Sequence, residues 1–134
     1  MKKLLILSFL FFSGISVFAT EEVAVVDLSR IVENSAQVRQ LKQEHAKKIA
    51  DLDRIIVNAR GEISNEKDPA KVLLLEDKYM KEFNTKRESL ERDYNGKLSV
   101  IEQSIKSEIK KKAQQDGYDY VFAKSVVLYG GKDI

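Results

Sequence analysis

The feature that most constrains this chain is a pair of stripes at helical spacing on either side of one short break. Val38, Leu41, His45, Ile49, Leu52, Ile56, Ala59 and Ile63 follow one another at intervals of three or four residues. That spacing places all eight on one face of an α-helix. The residues between them are largely charged: Lys42, Glu44, Lys47, Lys48, Asp51, Asp53 and Arg54. Asn65-Glu66-Lys67-Asp68-Pro69 interrupts the pattern. Pro69 suits a first helical position, where its missing N–H costs nothing. Asp68 can cap the new helix by accepting from its free N–H groups. The second stripe then runs through Val72, Leu75, Tyr79, Phe83, Leu90, Tyr94, Leu98, Ile101, Ile105, Ile109 and Ala113. A helix of that extent measures about 65–70 Å at 1.5 Å per residue. Gly117 is placed to end it, with Lys110, Lys111 and Lys112 favourably close to its negative end.

The two stripes can be set against each other. In an antiparallel pair, facing residues have a constant sum of residue numbers. Ile63 with Val72, Ile56 with Tyr79, Leu52 with Phe83, His45 with Leu90 and Leu41 with Tyr94 all sum to 135, and Ala59 with Leu75 sums to 134. The centre of this pairing falls between Lys67 and Asp68, inside the break. The expectation is therefore an antiparallel coiled-coil hairpin over residues 37–97. One layer departs from it, because Ile49 would face Lys86; there the lysine stem is expected to lie along the seam. Such an arm has few contacts per residue and should flex. Gly96 lies near its base and is a candidate hinge, since a mid-helix glycine costs roughly 0.5–1 kcal/mol relative to alanine. Gly61 is a similar glycine near the tip. Ile55, Val57, Leu73 and Leu74 fall off the main seam and are candidate adhesive groups on the arm surface. Their bland alternative is to shield the flanks of the pair, since single exposed apolar residues are common.

At the ends the pattern changes. Val23-Ala24-Val25-Val26 reads as a short buried strand, followed by a short helix or turn over Leu28 to Ala36. Tyr120-Val121-Phe122-Ala123 and Val126-Val127-Leu128-Tyr129 read as two further strands. Lys124-Ser125 between them is short enough for a β-hairpin, although it lacks the preferred glycine. Strands this short and this apolar need covering, by the helix bases or by other copies of the chain. Val23, Val25, Val121, Val127 and Tyr129 are the candidate oligomer contacts. The expected fold class is α+β: a long α-helical hairpin arm on a small β-sheet body, with the body formed by residues 20–36 and 98–134.

Met1-Lys2-Lys3, the apolar run from Leu4 to Phe12, and Val17-Phe18-Ala19 have the order of a secretory signal peptide, with cleavage expected after Ala19. The 16 residues from Leu4 to Ala19 are short for a membrane span of about 20. Removal of residues 1–19 would leave a single domain, 20–134, destined for the periplasm. Lys and Arg number 23 and Asp and Glu 21 in the whole chain, so loss of Lys2 and Lys3 leaves the mature part formally neutral. Dense charge of balanced sign suits long solvated helices and argues against a nucleic-acid partner. The Lys110-Lys111-Lys112 run reads as a solvated helix end. There is no cysteine, which excludes disulfides, thiolate metal sites and a thioether-linked lipid anchor.

Sharper chemistry finds little footing. His45 is the single histidine, and a metal site needs several convergent ligands, so it reads as a packing residue on the seam. Gly130-Gly131-Lys132 lacks the spacing and following helix of a phosphate loop and reads as a turn after a strand. Carboxylate pairs such as Glu62 and Glu66 are ordinary on a charged helix, and without a pocket they make no acid–base case. No catalytic residues, cofactor or metal are expected, and an enzyme is the least favoured class.

Val25-Val26-Asp27 and Ser35, the long charged hairpin, Gly117-Tyr118-Asp119-Tyr120-Val121, Val126-Val127-Leu128-Tyr129 and the final Asp133-Ile134 together resemble the Skp/OmpH family of periplasmic chaperones. The resemblance spans residues 20–134, with the arm matching by pattern alone. It implies a homotrimer whose sheets form a central body, with three helical arms around a cavity. It also implies a holdase function without ATP: unfolded outer-membrane proteins are kept in that cavity from aggregating. Two features depart from the family. Its members are often strongly basic, whereas the mature charge here is neutral, which does not favour direct attraction to anionic lipid or lipopolysaccharide. Its members also usually continue into a final helix, so either this one is short or its sequence is truncated. The alternative from a different class is a structural coiled-coil protein of the envelope that joins fixed partners. A trimer favours the first reading, a monomer or a higher polymer the second.

Overall fold

The structure, a computed structural model, describes residues 20–134. The expected leader and its cleavage after Ala19 lie outside the described residues. The elements in chain order are β1 (Val23–Val26), α1 (Leu28–Asn34), α2 (Ala36–Asn65), α3 (Pro69–Gln115), β2 (Tyr120–Ala123), a 3-10 turn (Lys124–Val126) and β3 (Lys132–Asp133). The chain is thus mostly helical, with two long helices and one small sheet, and belongs to the α+β class.

Local chemistry sets each helix boundary. The Asp27 carboxylate accepts from the Arg30 N–H at 3.1 Å and caps α1. Ser35 ends α1 and opens α2, its hydroxyl accepting from the Val38 N–H at 3.1 Å. A short polar side chain in extended backbone is what a helix start requires, because it satisfies one of the orphan donors. Between α2 and α3 only Glu66, Lys67 and Asp68 remain outside helix. The Glu66 carboxylate accepts from the N–H groups of Lys67 and Asp68 at 2.9 and 3.0 Å, and Asp68 caps α3 through the Ala70 N–H at 3.0 Å. Pro69 occupies the start of α3, as its fixed φ favours.

The C-terminus of α3 closes in a Schellman arrangement. The Tyr118 N–H donates to the Ala113 carbonyl at 2.9 Å and the Gly117 N–H to the Gln114 carbonyl at 3.3 Å. Gly117 has φ of 83°, a left-handed conformation that a side chain would strain. Lys112 reaches Asp116 at 2.9 Å across the last turn, and that carboxylate raises the lysine pKa.

The helices α2 and α3 pack along each other. Glu62 lies beside Tyr79 near the link, and Lys48 meets Asp93 farther from it, so residue numbers rise on one helix as they fall on the other. The second stripe is buried or half-buried along its whole length, from Val72 to Ala113. The first holds in part. Val38, Leu41 and Leu52 are buried, and His45, Ala59 and Ile63 half-buried, but Ile49 and Ile56 lie on the outside. Ile55 takes the seam position expected of Ile56: its exposure is 7% against 37%. Leu52–Ile55–Ala59 and Leu52–Ile56–Ala59 are equally good helical spacings, so only contact with the partner helix chooses between them. Leu52, Ile55 and Tyr79 form a core cluster, flanked by Ala59, Leu75, Phe83 and Leu90.

The pairing is also displaced by about a turn from the expected register. His45 packs against Tyr94, with ring centroids 4.5 Å apart and the ring planes tilted by 37°, rather than against the expected Leu90. Side chains on a helix lean toward its own N-terminus. In an antiparallel pair the two leans add, so contacting residues have a larger sum than facing backbone positions.

At 47 residues α3 outruns the 30 of α2. Its last turns pack on the sheet and on α1. The sheet has the order β2-β1-β3, with both neighbours parallel to the central strand. Val23 to Val26 align with Tyr120 to Ala123, and Ala24 and Val25 with Lys132 and Asp133. This corrects the expected β-hairpin. Lys124–Val126 is a 3-10 turn, Val126–Tyr129 is not a strand, and the third strand is Lys132–Asp133. A tight hairpin needs residues at positive φ, which Lys124 and Ser125 do not supply. Gly130 and Gly131 do, with φ of 87° and 83°, and they return the chain alongside β1. The glycine pair is therefore the turn into a strand and not the turn after one. Gly131 is required on a second count, since a Cβ there would collide with the Val25 side chain.

The seam assignment can be read in stability. Ile55→Ala is expected to cost about 2 kcal/mol, the low end for a buried aliphatic because the seam is narrow. Ile56→Ala should cost less than about 1 kcal/mol. Denaturant midpoints of the two variants check this; equal losses would restore the register expected from residue numbers.

Candidate binding surfaces

Three surfaces carry side chains with the chemistry to bind something. The first is the distal part of the helix pair. Val57, Leu73, Leu74 and Met80 are 65–70% exposed there. They stand on helices whose other outward positions are mostly charged or polar, and Leu73-Leu74 lies just past the Pro69 turn. Three of the four residues expected as surface adhesive groups, Val57, Leu73 and Leu74, are on the outside. Ile55 is not: it is buried in the seam and unavailable to a partner. Met80 was missed, although it lies seven residues beyond Leu73 and shares its side of the helix.

The second surface is the body. Tyr120 and Phe122 of β2 are exposed and stacked at 6.2 Å. Val126, Leu128 and Tyr129 are exposed in the segment that follows. Among the residues expected at an oligomer contact, Tyr129 is fully outside, and Val23, Val121 and Val127 are half-buried. Val25 is buried within the chain beneath Gly131, so it cannot touch a second copy. The alternation along β2 explains the split: Tyr120 and Phe122 point out, while Val121 and Ala123 line a hollow with Ile109 and Ala113 of α3. Asp119 ties β2 to the start of β1, its carboxylate accepting from the Glu22 N–H at 2.9 Å.

The third surface is an open groove near the base of the helix pair, of about 540 Å³, lined by Gln40, Leu41, Asp93, Gly96, Lys97 and Val100, among others. Gly96 faces this groove, and a Cβ there would meet nothing within 4 Å, so no close approach demands glycine. Next to it lies a polar layer that residue spacing did not reveal. Lys48 reaches from α2 to Asp93 on α3 at 2.9 Å, and Lys97 reaches the same carboxylate at 3.1 Å. Lys48 first and Lys97 second hold the Asp93 carboxyl below its ordinary pKa, and Asp93 in turn raises that of Lys48. Ile49 is expelled at this level, and it is Lys48 rather than Lys86 that lies across the seam. The Asp93–Lys97 spacing was visible in sequence, but the cross-helix partner depended on the register. Near the tip, the Glu62 carboxylate beside the Tyr79 hydroxyl raises the tyrosine pKa.

Among the described residues no group of three or more His, Cys, Asp and Glu converges as a metal site requires, and no helix is long and apolar enough to cross a membrane. Compared with protein-family models and with curated proteins, the chain matches none.

The polar layer should be visible in acid. A carboxyl with a lowered folded pKa contributes stability above its unfolded value, about 3.9, and loses it as pH falls through the folded value. Asp93→Asn should therefore lower the thermal midpoint at neutral pH, and the gap from the native protein should close below about pH 4. A gap independent of pH would mean that the layer acts through packing alone.

Proposed function

We propose that this protein is a nucleotide-independent holdase of the Skp/OmpH type, exported to the periplasm, where it shields unfolded outer-membrane proteins. In this reading α2 and α3 work as an antiparallel hairpin arm, and three copies join through their sheets to form the body. The arms then surround the client.

The observation that carries the reading is the exposure of Val57, Leu73, Leu74 and Met80 along a slender, highly charged helix pair. A helix pair with one seam has no interior for a substrate, so whatever it binds must be held on its outside. Unfolded barrel segments present alternating apolar side chains that need temporary cover. Scattered apolar groups among charges offer weak contacts that can let go. Tyr120, Phe122, Leu128 and Tyr129, exposed together on the body, support association through that end. Val23, Val121 and Val127 would join them at its margin. Gly96 would act as the bending point, in a helix section where the seam is replaced by ions. No cofactor, metal or nucleic acid enters this mechanism.

The reading is tested by light scattering. The mature chain should suppress aggregation of a urea-unfolded outer-membrane protein at near-stoichiometric trimer, with a light-scattering mass of three protomers. Leu73→Asp with Leu74→Asp should weaken suppression several-fold without changing helix content. Unchanged scattering in the presence of the native chain would rule the holdase out. A monomer or an open polymer would favour the structural envelope protein. For the hinge, Gly96→Ala should raise stability by about 0.5–1 kcal/mol while narrowing the range of client sizes held; an unchanged range would remove Gly96 from the mechanism.

A further inference from the structure

The two flanks of the helix pair differ in kind. At about 100° per residue, Ile49, Ile56 and Ile63 line up on α2, seven residues apart, beside the buried row of Leu52, Ile55 and Ala59. On α3, Leu73 and Met80 are also seven apart, beside Val72, Leu75 and Tyr79. Two contacts establish which sides correspond. His45 and Tyr94, which touch, lie on the side of these two rows. Lys48 and Asp93 turn to the other side, whose hollow is lined by Asp51, Lys86 and Ser89. One flank therefore carries apolar rows toward the tip, interrupted on α3 by Arg87 at about the level of Ile49, and the opposite one is charged. Ile56 and Met80 sit at one level, and Ile63 and Leu73 at the next, so the two rows border a single shallow groove.

The same groove already holds a helix at its base. Leu28 and Val32 of α1 line a hollow with Val38 and Lys42 of α2 and Tyr94 and Leu98 of α3. There α1 packs against both long helices. Past His45 and Tyr94, none of the described residues covers the groove, and Ile49, Ile56, Leu73 and Met80 are exposed.

We propose that this distal groove is a docking site for an amphipathic helix of another polypeptide, seated in line with α1. Continuity with the α1 seat is the first reason, because it shows that a helix fits between these two. The second is spacing. Rows with a seven-residue repeat present apolar groups about every 10.5 Å, the repeat of a heptad-patterned helix. A strand presents same-face side chains about every 6.6–6.8 Å and would fall out of step within two residues. The third is the rim. Asp77, Arg87 and Glu91 edge the α3 side, while Lys42 and Arg60 edge the α2 side with Asp53 between them, so the complementary helix carries both signs of charge on each shoulder. The partner differs from an extended barrel segment, so the holdase can stand or fall separately.

The probe is a synthetic amphipathic peptide of about 21 residues, three heptads, with Leu and Ile at the core positions and Lys and Glu elsewhere. Its control has the same composition with apolar and polar residues alternating. Fluorescence anisotropy with the full mature chain should show binding of the heptad peptide at least about tenfold tighter than of the control. Leu73→Asp and Met80→Asp, both at outward positions and checked by circular dichroism, should each weaken it about tenfold, whereas Val57→Asp and Leu74→Asp, on the backs of the helices, should leave it unchanged. Absence of binding, equal affinity for both peptides, or insensitivity to the two groove variants would overturn the proposal. So would self-association of the chain alone that Leu73→Asp or Met80→Asp abolishes, since the groove would then belong to a second copy.

Discussion

Everything in this molecule depends on a single line of contact between two helices held in line by a three-residue link. The link is short because its ends are satisfied locally: Glu66 takes the N–H groups of Lys67 and Asp68, and Asp68 caps α3. A longer or unsatisfied connection would let the helices slide, and a narrow seam has little with which to resist sliding. Few residues are fully buried along it, and Leu52, Ile55 and Tyr79 form the one sizeable cluster of the distal half. The limb is then a rod with a spine and two independent flanks, and what distinguishes the flanks can be put to use.

The middle of the spine is polar. At the level of His45 and Lys48 the aliphatic contacts give way to a tilted ring pair and an ion triad. Hydrophobic contact is indifferent to direction and tolerates a slip of one turn. A lysine shared with a carboxylate across the seam is less tolerant, because a slip separates Lys48 from Asp93, which keeps only Lys97 of its own helix. The exposed setting keeps the energy small. The layer separates a distal cluster from a base where Val38 and Leu41 lie under α1, and Gly96 is one turn away from it.

The body poses the opposite problem. Its central strand is covered within the chain, and β2 on one side leaves two aromatic rings outside. The parallel order β2-β1-β3 fits where the glycines are: after β2, positive φ is found among the described residues at Gly130 and Gly131, and the chain passes Val126–Tyr129 before it rejoins the sheet. The apolar side chains of that passage end largely on the surface, with Val127 half-buried.

Much of the architecture was legible from residue order alone. The two helices, the break at Asp68-Pro69, the stop at Gly117, and the strands at Val23–Val26 and Tyr120–Ala123 follow from periodicity, capping chemistry and β-branched runs. These signals are local and need no partner to be read. What needed the fold was every choice between equivalent neighbours. Ile55 and Ile56 satisfy the same helical spacing, and only the facing helix put the first inside and so removed it from the adhesive set. Val126–Tyr129 is an apolar run that reads as a strand, and the edge of β1 goes instead to Lys132–Asp133. Asp93 and Lys97 are neighbours along one helix, and only the register brings Lys48 to them. Residue order thus determined which segments would be helix or strand, because those preferences are settled within a few residues. The tertiary structure decided which face of each segment is covered, because that depends on contacts between residues far apart in the chain.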